Sequence, residues 1–161
     1  MERKDNSKIT NFEGKYLTFN LIDENYGISV DWIMQIIAIP GITQIPQTPA
    51  FVKGVINLRG KIIPVIDLRL RFKLQEREYD DRTSIVIIKI NNDNQEIFIG
   101  LIVDKVLEVL DIHEHEIEAA PTFGIEVNTE FILAMAKVKG IVATLLDISK
   151  IFTASELAKI K

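Results

Sequence analysis

Apolar side chains recur along this chain in two patterns, strict alternation and short unbroken runs, and both predict β-strands. Tyr16-Leu17-Thr18-Phe19-Asn20-Leu21 alternates apolar and polar residues, as a half-buried strand does. Ile85-Val86-Ile87-Ile88 and Ile97-Phe98-Ile99 are apolar runs of strand length. Between them lies Asn91-Asn92-Asp93-Asn94-Gln95, whose short amides favour turns, so the two runs predict a hairpin. Asp23-Glu24-Asn25 predicts another turn after Leu21. Helix is predicted only as a turn at Thr48-Pro49-Ala50-Phe51-Val52, near Asp67 to Phe72, and at Ser155-Glu156-Leu157-Ala158-Lys159. Pro40, Pro46 and Pro49 mark residues 38–50 as an irregular loop rather than a central strand.

The pattern repeats. Residues 27–37, GISVDWIMQII, lie over residues 100–110, GLIVDKVLEVL, at a constant offset of 73. Residues 51–72 lie without gaps over residues 131–152 at an offset of 80, matching Phe51 with Phe131, Gly60 with Gly140, Asp67 with Asp147 and Phe72 with Phe152. The chain therefore reads as two copies of one unit: a hairpin, an Asp-led strand, a loop and a closing strand pair. Units this small leave exposed edges unless each sheet curls shut. The expected fold is mainly β: two small five-stranded barrels, packed together to enlarge a core that neither buries alone and leaving a groove between them. The expected limits are a flexible segment at 1–14, one domain at 15–152 whose halves either divide near 15–80 and 81–152 or intertwine, and a tail or short helix at 153–161.

Composition strengthens this reading, because 28 Ile and 11 Val outnumber the helix-forming Ala and Leu, and branching at Cβ suits a pleated sheet better than a helix. Charge changes the list of partners. A net charge of −4, with one Trp and no aromatic run beside arginines, argues against nucleic acid and anionic lipid. The first residues are polar, and the longest apolar run, Ile97 to Val103, is far short of the roughly 20 residues that span a bilayer. A cytoplasmic protein held at a membrane only through partners is expected.

Candidate chemistry is sparse. No Cys is present, which removes thiolate metal sites and cysteine nucleophiles. His113 and His115 offer two imidazoles without a third partner, and Asp80-Asp81 and Asp23-Glu24 sit in polar turns without an apolar wall to raise a pKa. No catalytic residue, metal or cofactor is expected. Asn57-Leu58-Arg59-Gly60 between two apolar runs predicts a hairpin that projects Arg59 at a barrel rim.

The run TPAFVKGVINLRGKIIPVIDLRLRF, residues 48–72, resembles the signature region of the CheW coupling proteins of bacterial chemotaxis. YGISVDWIMQII, GLIVDKVLEVLDIHEHEIEAAP and KGIVATLLDISKIF extend the likeness from about Lys15 to Phe152. The resemblance implies two intertwined SH3-like barrels. It also implies a non-catalytic adaptor that links the cytoplasmic tips of chemoreceptors to the C-terminal CheW-like domain of the histidine kinase CheA in receptor arrays. That fold also ends CheA and begins the CheV adaptors, but no kinase or receiver segment accompanies it here, so a stand-alone coupling protein is expected. By position, Ile33, Gln35, Gly54, Asn57, Arg59, Gly60 and Gly100 match the family's partner-binding region. Many relatives carry Glu where Gln35 stands, so an ionic role does not transfer to this position. Backbone geometry is an alternative role for Gly54, Gly60 and Gly100, and core packing one for Ile33. A small-ligand-binding β-barrel is the alternative function.

Overall fold

Strands dominate the computed structural model, which describes residues 12–92, 94–118 and 131–151. In chain order these are β1 (Gly14–Leu21), β2 (Glu24–Ser29), β3 (Ile33–Ala38), β4 (Val52–Leu58), β5 (Lys61–Asp67), β6 (Ser84–Asn92), β7 (Gln95–Val103), β8 (Lys105–Ile112), β9 (Ile117–Glu118), β10 (Ile132–Val138) and β11 (Ile141–Leu146). One short helix, α1 (Leu68–Arg71), follows β5, capped by the Asp67 carboxylate. It lies where helix was expected near Asp67. The turn at Thr48–Val52 is not helical: Val52 N–H donates to Pro49 O at 2.9 Å and the chain enters β4. The predicted helix at Ser155–Lys159, and most of the two terminal segments, lie outside the described residues.

Two sheets form, ordered β8-β1-β2-β11-β10-β9 and β3-β6-β7-β5-β4. They are two SH3-like barrels packed together, the first of six strands rather than the expected five. In the second, Thr43 pairs with Val55 of β4, the place that β9 takes beside β10 in the first. Strand pairing runs across residue 80. β1 and β2 pair with β8 and β11, while the β6–β7 hairpin pairs with β3 and β5. Each barrel combines the leading hairpin of one repeat with the last three main strands of the other. The link explains why: Asp104 alone separates β7 from β8, and a hairpin needs a loop of about two residues, so β8 continues into the other sheet.

The exchange preserves the repeat down to register. Val65 of β5 faces Gly100 of β7 in a parallel pair, and Leu145 of β11 faces Gly27 of β2. Register slips between Ile33 and Gln35 in one barrel and at the matching place, between Leu17 and Phe19 of β1 against β8, in the other.

Strand alternation then sorts the apolar residues into three cores. Ile56, Ile63, Val65, Ile85, Ile87 and Ile102 fill the second barrel, and Tyr16, Leu110, Ile112, Ala136, Val138 and Leu145 fill the first. The opposite faces of the same strands, including Phe19, Ile28, Ile66, Ile88, Leu101 and Leu146, meet in a central core shared by both sheets. This is the mutual burial that small barrels need. At its edge the Arg71 guanidinium lies 4.9 Å from the Phe51 ring and 4.8 Å from that of Phe131, its repeat mate, while Arg71 Nε donates to Ile151 O at 2.7 Å. Because the stack joins residues of both repeats, Arg71→Ala is expected to lower unfolding free energy by about 1 to 2 kcal/mol. A reduced urea midpoint at unchanged m-value would report it.

Candidate functional site

The tip of the β4–β5 hairpin is a tight turn in which Arg59 (φ 52°) and Gly60 (φ 86°) both take positive φ, as a two-residue turn between right-twisting strands requires. Asn57 holds it from within, its Oδ1 accepting the Gly60 N–H at 2.9 Å. Arg59 is held from outside: its Nη2 donates to Gln35 Oε1 on β3 at 2.8 Å. Two residues 24 positions apart therefore meet across the mouth of the second barrel. Around them is a depression of about 210 Å³, floored by Leu58, Ile63, Ile87 and Phe98 and rimmed by Met34, Arg59 and Lys61. Lys61 Nζ stands 4.1 Å from the Phe98 ring centre, within cation–π range.

On β3 and β5, the strands that carry Gln35 and Lys61, three apolar side chains are unusually open to solvent: Met34 is 52% exposed, Ile36 43% and Ile62 64%. Their repeat positions in the first barrel are Leu107, Val109 and Val142, at 38%, 52% and 51% exposure. Exposed apolar residues thus recur at matching positions of the two barrels. The candidate residues chosen from sequence included neither set, although the offsets of 73 and 80 carry Met34 onto Leu107, Ile36 onto Val109 and Ile62 onto Val142.

Three of the expected site residues lie away from the mouth. Ile33 packs against the central core. Gly54 is buried with φ 143°, and a Cβ built there would sit 2.7 Å from the Thr43 carbonyl carbon. Gly100 is buried in β7, where a Cβ would come within 2.7 Å of the Ile85 side chain. These residues shape the barrel that carries the mouth, whereas Gln35, Asn57, Arg59 and Gly60 build the mouth itself.

A buried polar node lies where the chain crosses between barrels. Arg69 Nε donates to Asp104 Oδ1 at 2.7 Å, Arg69 Nη2 pairs with Oδ2, and the Ile22 N–H donates to Oδ2 at 2.8 Å. Nearby, Asp67 Oδ1 accepts the Arg69 N–H at 2.9 Å and Oδ2 accepts the Tyr79 hydroxyl at 2.7 Å. Burial, and then this bond to a carboxylate, push the Tyr79 phenol well above its usual pKa. Among the described residues every buried side-chain N or O has a hydrogen-bond partner, so no orphaned polar group waits for a ligand.

His113 and His115 stack with ring centres 5.9 Å apart, and Glu13 lies 3.9 Å from His113 Nδ1. Among the described residues no group of three His, Asp or Glu is placed to hold a metal ion. Asp80 accepts the Arg82 and Thr83 N–H groups of its own turn, which hold its carboxyl below the usual range. Among the same residues no helix is long and apolar enough to cross a membrane.

Known proteins place this architecture. The family model of the CheW-like domain matches residues 15–156. Chemotaxis protein CheW of Klebsiella aerogenes is 35% identical over 144 residues, covering 89% of this chain and 84% of that protein. Its Bacillus subtilis counterpart is 40% identical over 116 residues, 72% of this chain and 71% of that one. The crystal structure of scaffolding protein TtCheW from Thermoanaerobacter tengcongensis superposes with a TM-score of 0.78 at 36% identity, covering 89% of this chain and 95% of that chain. A family model spanning both exchanged barrels, and relatives of this identity over most of their length, show that the chain belongs to the CheW family.

Proposed function

We propose that the protein is a non-catalytic cytoplasmic adaptor that couples chemoreceptors to a CheA-type histidine kinase. The carrying observation is the pair of exposed apolar sets at matching positions of the two barrels, Met34, Ile36 and Ile62 on one and Leu107, Val109 and Val142 on the other. Two such surfaces let one small domain hold two partners at once. The barrel ends meet the kinase's C-terminal CheW-like domain through modest, partly apolar interfaces suited to reversible assembly. An apolar groove takes the helical hairpin tip of a receptor, burying Ile and Val side chains. Arg59 adds a charge-assisted contact. No bond is made or broken, and among the described residues every buried side-chain N or O already has a hydrogen-bond partner.

The test is calorimetry of the purified chain against the C-terminal regulatory domain of a CheA-type kinase. Saturable one-to-one binding is the expected result, and a folded chain that fails to bind at high micromolar concentration removes the proposal. Arg59 separates partner contact from stability. Arg59→Ala is expected to weaken binding about tenfold with an intact fold. Arg59→Gly also removes the left-handed strain of a non-glycine residue, so its Tm should equal or exceed that of the parent. Loss of Tm in Arg59→Gly would show that the guanidinium holds the fold rather than a partner.

A further inference from the structure

Outside the family likeness, the barrel mouth carries a charge pattern of its own. The chain bears a net charge of −4, yet the described rim of this depression holds two cations, Arg59 and Lys61, and no carboxylate. Arg59 is tied to a neutral amide, that of Gln35. Lys61 is tied to the face of the Phe98 ring. Neither contact supplies a negative charge, so the two cations stand without a carboxylate above an apolar floor of Leu58, Ile63, Ile87 and Phe98. At the repeat position of Gln35 the first barrel has Glu108, and at that of Lys61 it has Ile141. At that of Arg59 it has Lys139, so the repeat positions of the first barrel bring a carboxylate where the second has the neutral amide of Gln35.

We infer that the mouth of the second barrel selects a protein partner that presents a carboxylate beside an apolar side chain, with Gln35 as the residue that sets this preference. The apolar group enters the depression over Leu58 and Phe98, and the carboxylate reaches the Arg59 guanidinium. Gln35 orients that guanidinium through its amide oxygen without neutralising it. A glutamate at residue 35 would occupy the same guanidinium as an internal carboxylate and compete with the partner's. This inference rests on reading the mouth as a partner surface and adds the chemistry of what it takes.

The test does not require the natural partner. A short acetylated peptide alternating leucine with glutamate, and its counterpart with glutamine, would be titrated into the methyl-labelled chain while the Met34, Ile63 and Ile87 methyl signals are followed. The acidic peptide is expected to shift these signals with an affinity about fivefold above the neutral one. That preference should vanish in about 1 M salt, where charges are screened beyond about 3 Å, and in Gln35→Glu. Gln35→Leu, which removes the hydrogen bond but adds no charge, should keep most of it. Equal shifts by both peptides, or an unchanged preference in Gln35→Glu, would overturn the inference. So would equal shifts by a short single-stranded DNA, which would mark a general anion surface. Shifts that grow with protein concentration in the absence of peptide would assign the mouth to a second copy of the chain and overturn it as well. Kinase binding fails or succeeds separately in calorimetry, so the adaptor reading and this inference are distinguished.

Discussion

Asp104→Asn should lower the unfolding free energy by about 3 to 5 kcal/mol, the cost of leaving one member of a buried ion pair without its partner. Arg69 and Asp104 are 8% and 13% exposed, and the fork of Nε and Nη2 meets both carboxylate oxygens. Asparagine keeps the shape and loses the charge, so the guanidinium stays buried with only the Gln75 carbonyl, at 3.0 Å, still fully in place. The damage reaches both barrels, because Asp104 follows β7 of the second while Ile22, whose N–H it accepts, lies in the β1–β2 turn of the first. Against a total stability of about 5 to 15 kcal/mol for a domain of this kind, the loss is large. A double variant, Arg69→Met with Asp104→Leu, should recover most of it, since apolar replacement of a whole buried pair is often neutral. A double variant no more stable than Asp104→Asn would assign the effect to packing instead. Acid should act on the same node. Burial alone would raise the Asp104 pKa, but the Arg69 and Ile22 hydrogen bonds and the guanidinium charge outweigh it and hold the carboxyl below its usual value. A depressed native pKa gives stability that is fully present above the unfolded value of about 3.9 and is lost as pH falls through the native one. Asp104→Asn should therefore flatten the fall in stability below about pH 4.

Gly54→Ala is the second severe substitution, expected to cost about 3 kcal/mol or more through overpacking and an unfavourable backbone. At φ 143° an L side chain is strained whatever the space, and the new methyl would be driven into the backbone carbonyl of Thr43. That carbonyl cannot swing aside, because it accepts the Val55 N–H at 2.8 Å while Thr43 N–H donates to Val55 O at 2.9 Å. The repeat supplies an internal control. Ala134 holds the matching position, at the same register slip in β10, and is buried without positive φ. A β-bulge here does not by itself demand glycine; the close pass of the 38–50 loop does. Urea unfolding checks this, and an Ala variant within about 0.5 kcal/mol of the parent would show that the loop yields.

Hairpins, the two-fold repeat and the turn at Arg59 were legible because each rests on local order. Alternation places a residue on one face or the other, and the sequence around Arg59 and Gly60 suits a tight turn. Ile33 shows where that logic stops. Its apolar neighbours suit either the mouth or the core, and the slip between Ile33 and Gln35 turns it to the central core while Gln35 reaches Arg59. The buried Arg69–Asp104 pair was equally hidden, since each residue alone reads as a solvated charge until the fold removes its water.

By itself the sequence determined that this is a β protein of two equivalent units, where most strands run, and that a projecting arginine stands on a rim; these follow from side-chain period and backbone preference, which act over a few residues. Only the tertiary structure decided which hairpin completes which barrel and which polar residues meet. Ile- and Val-rich strands of a repeat offer nearly the same surface to either partner, so pairing was settled by what no local pattern records: the single-residue link at Asp104, the parallel register of Val65 with Gly100 and of Leu145 with Gly27, and the shared core that forms only when the two sheets close on each other.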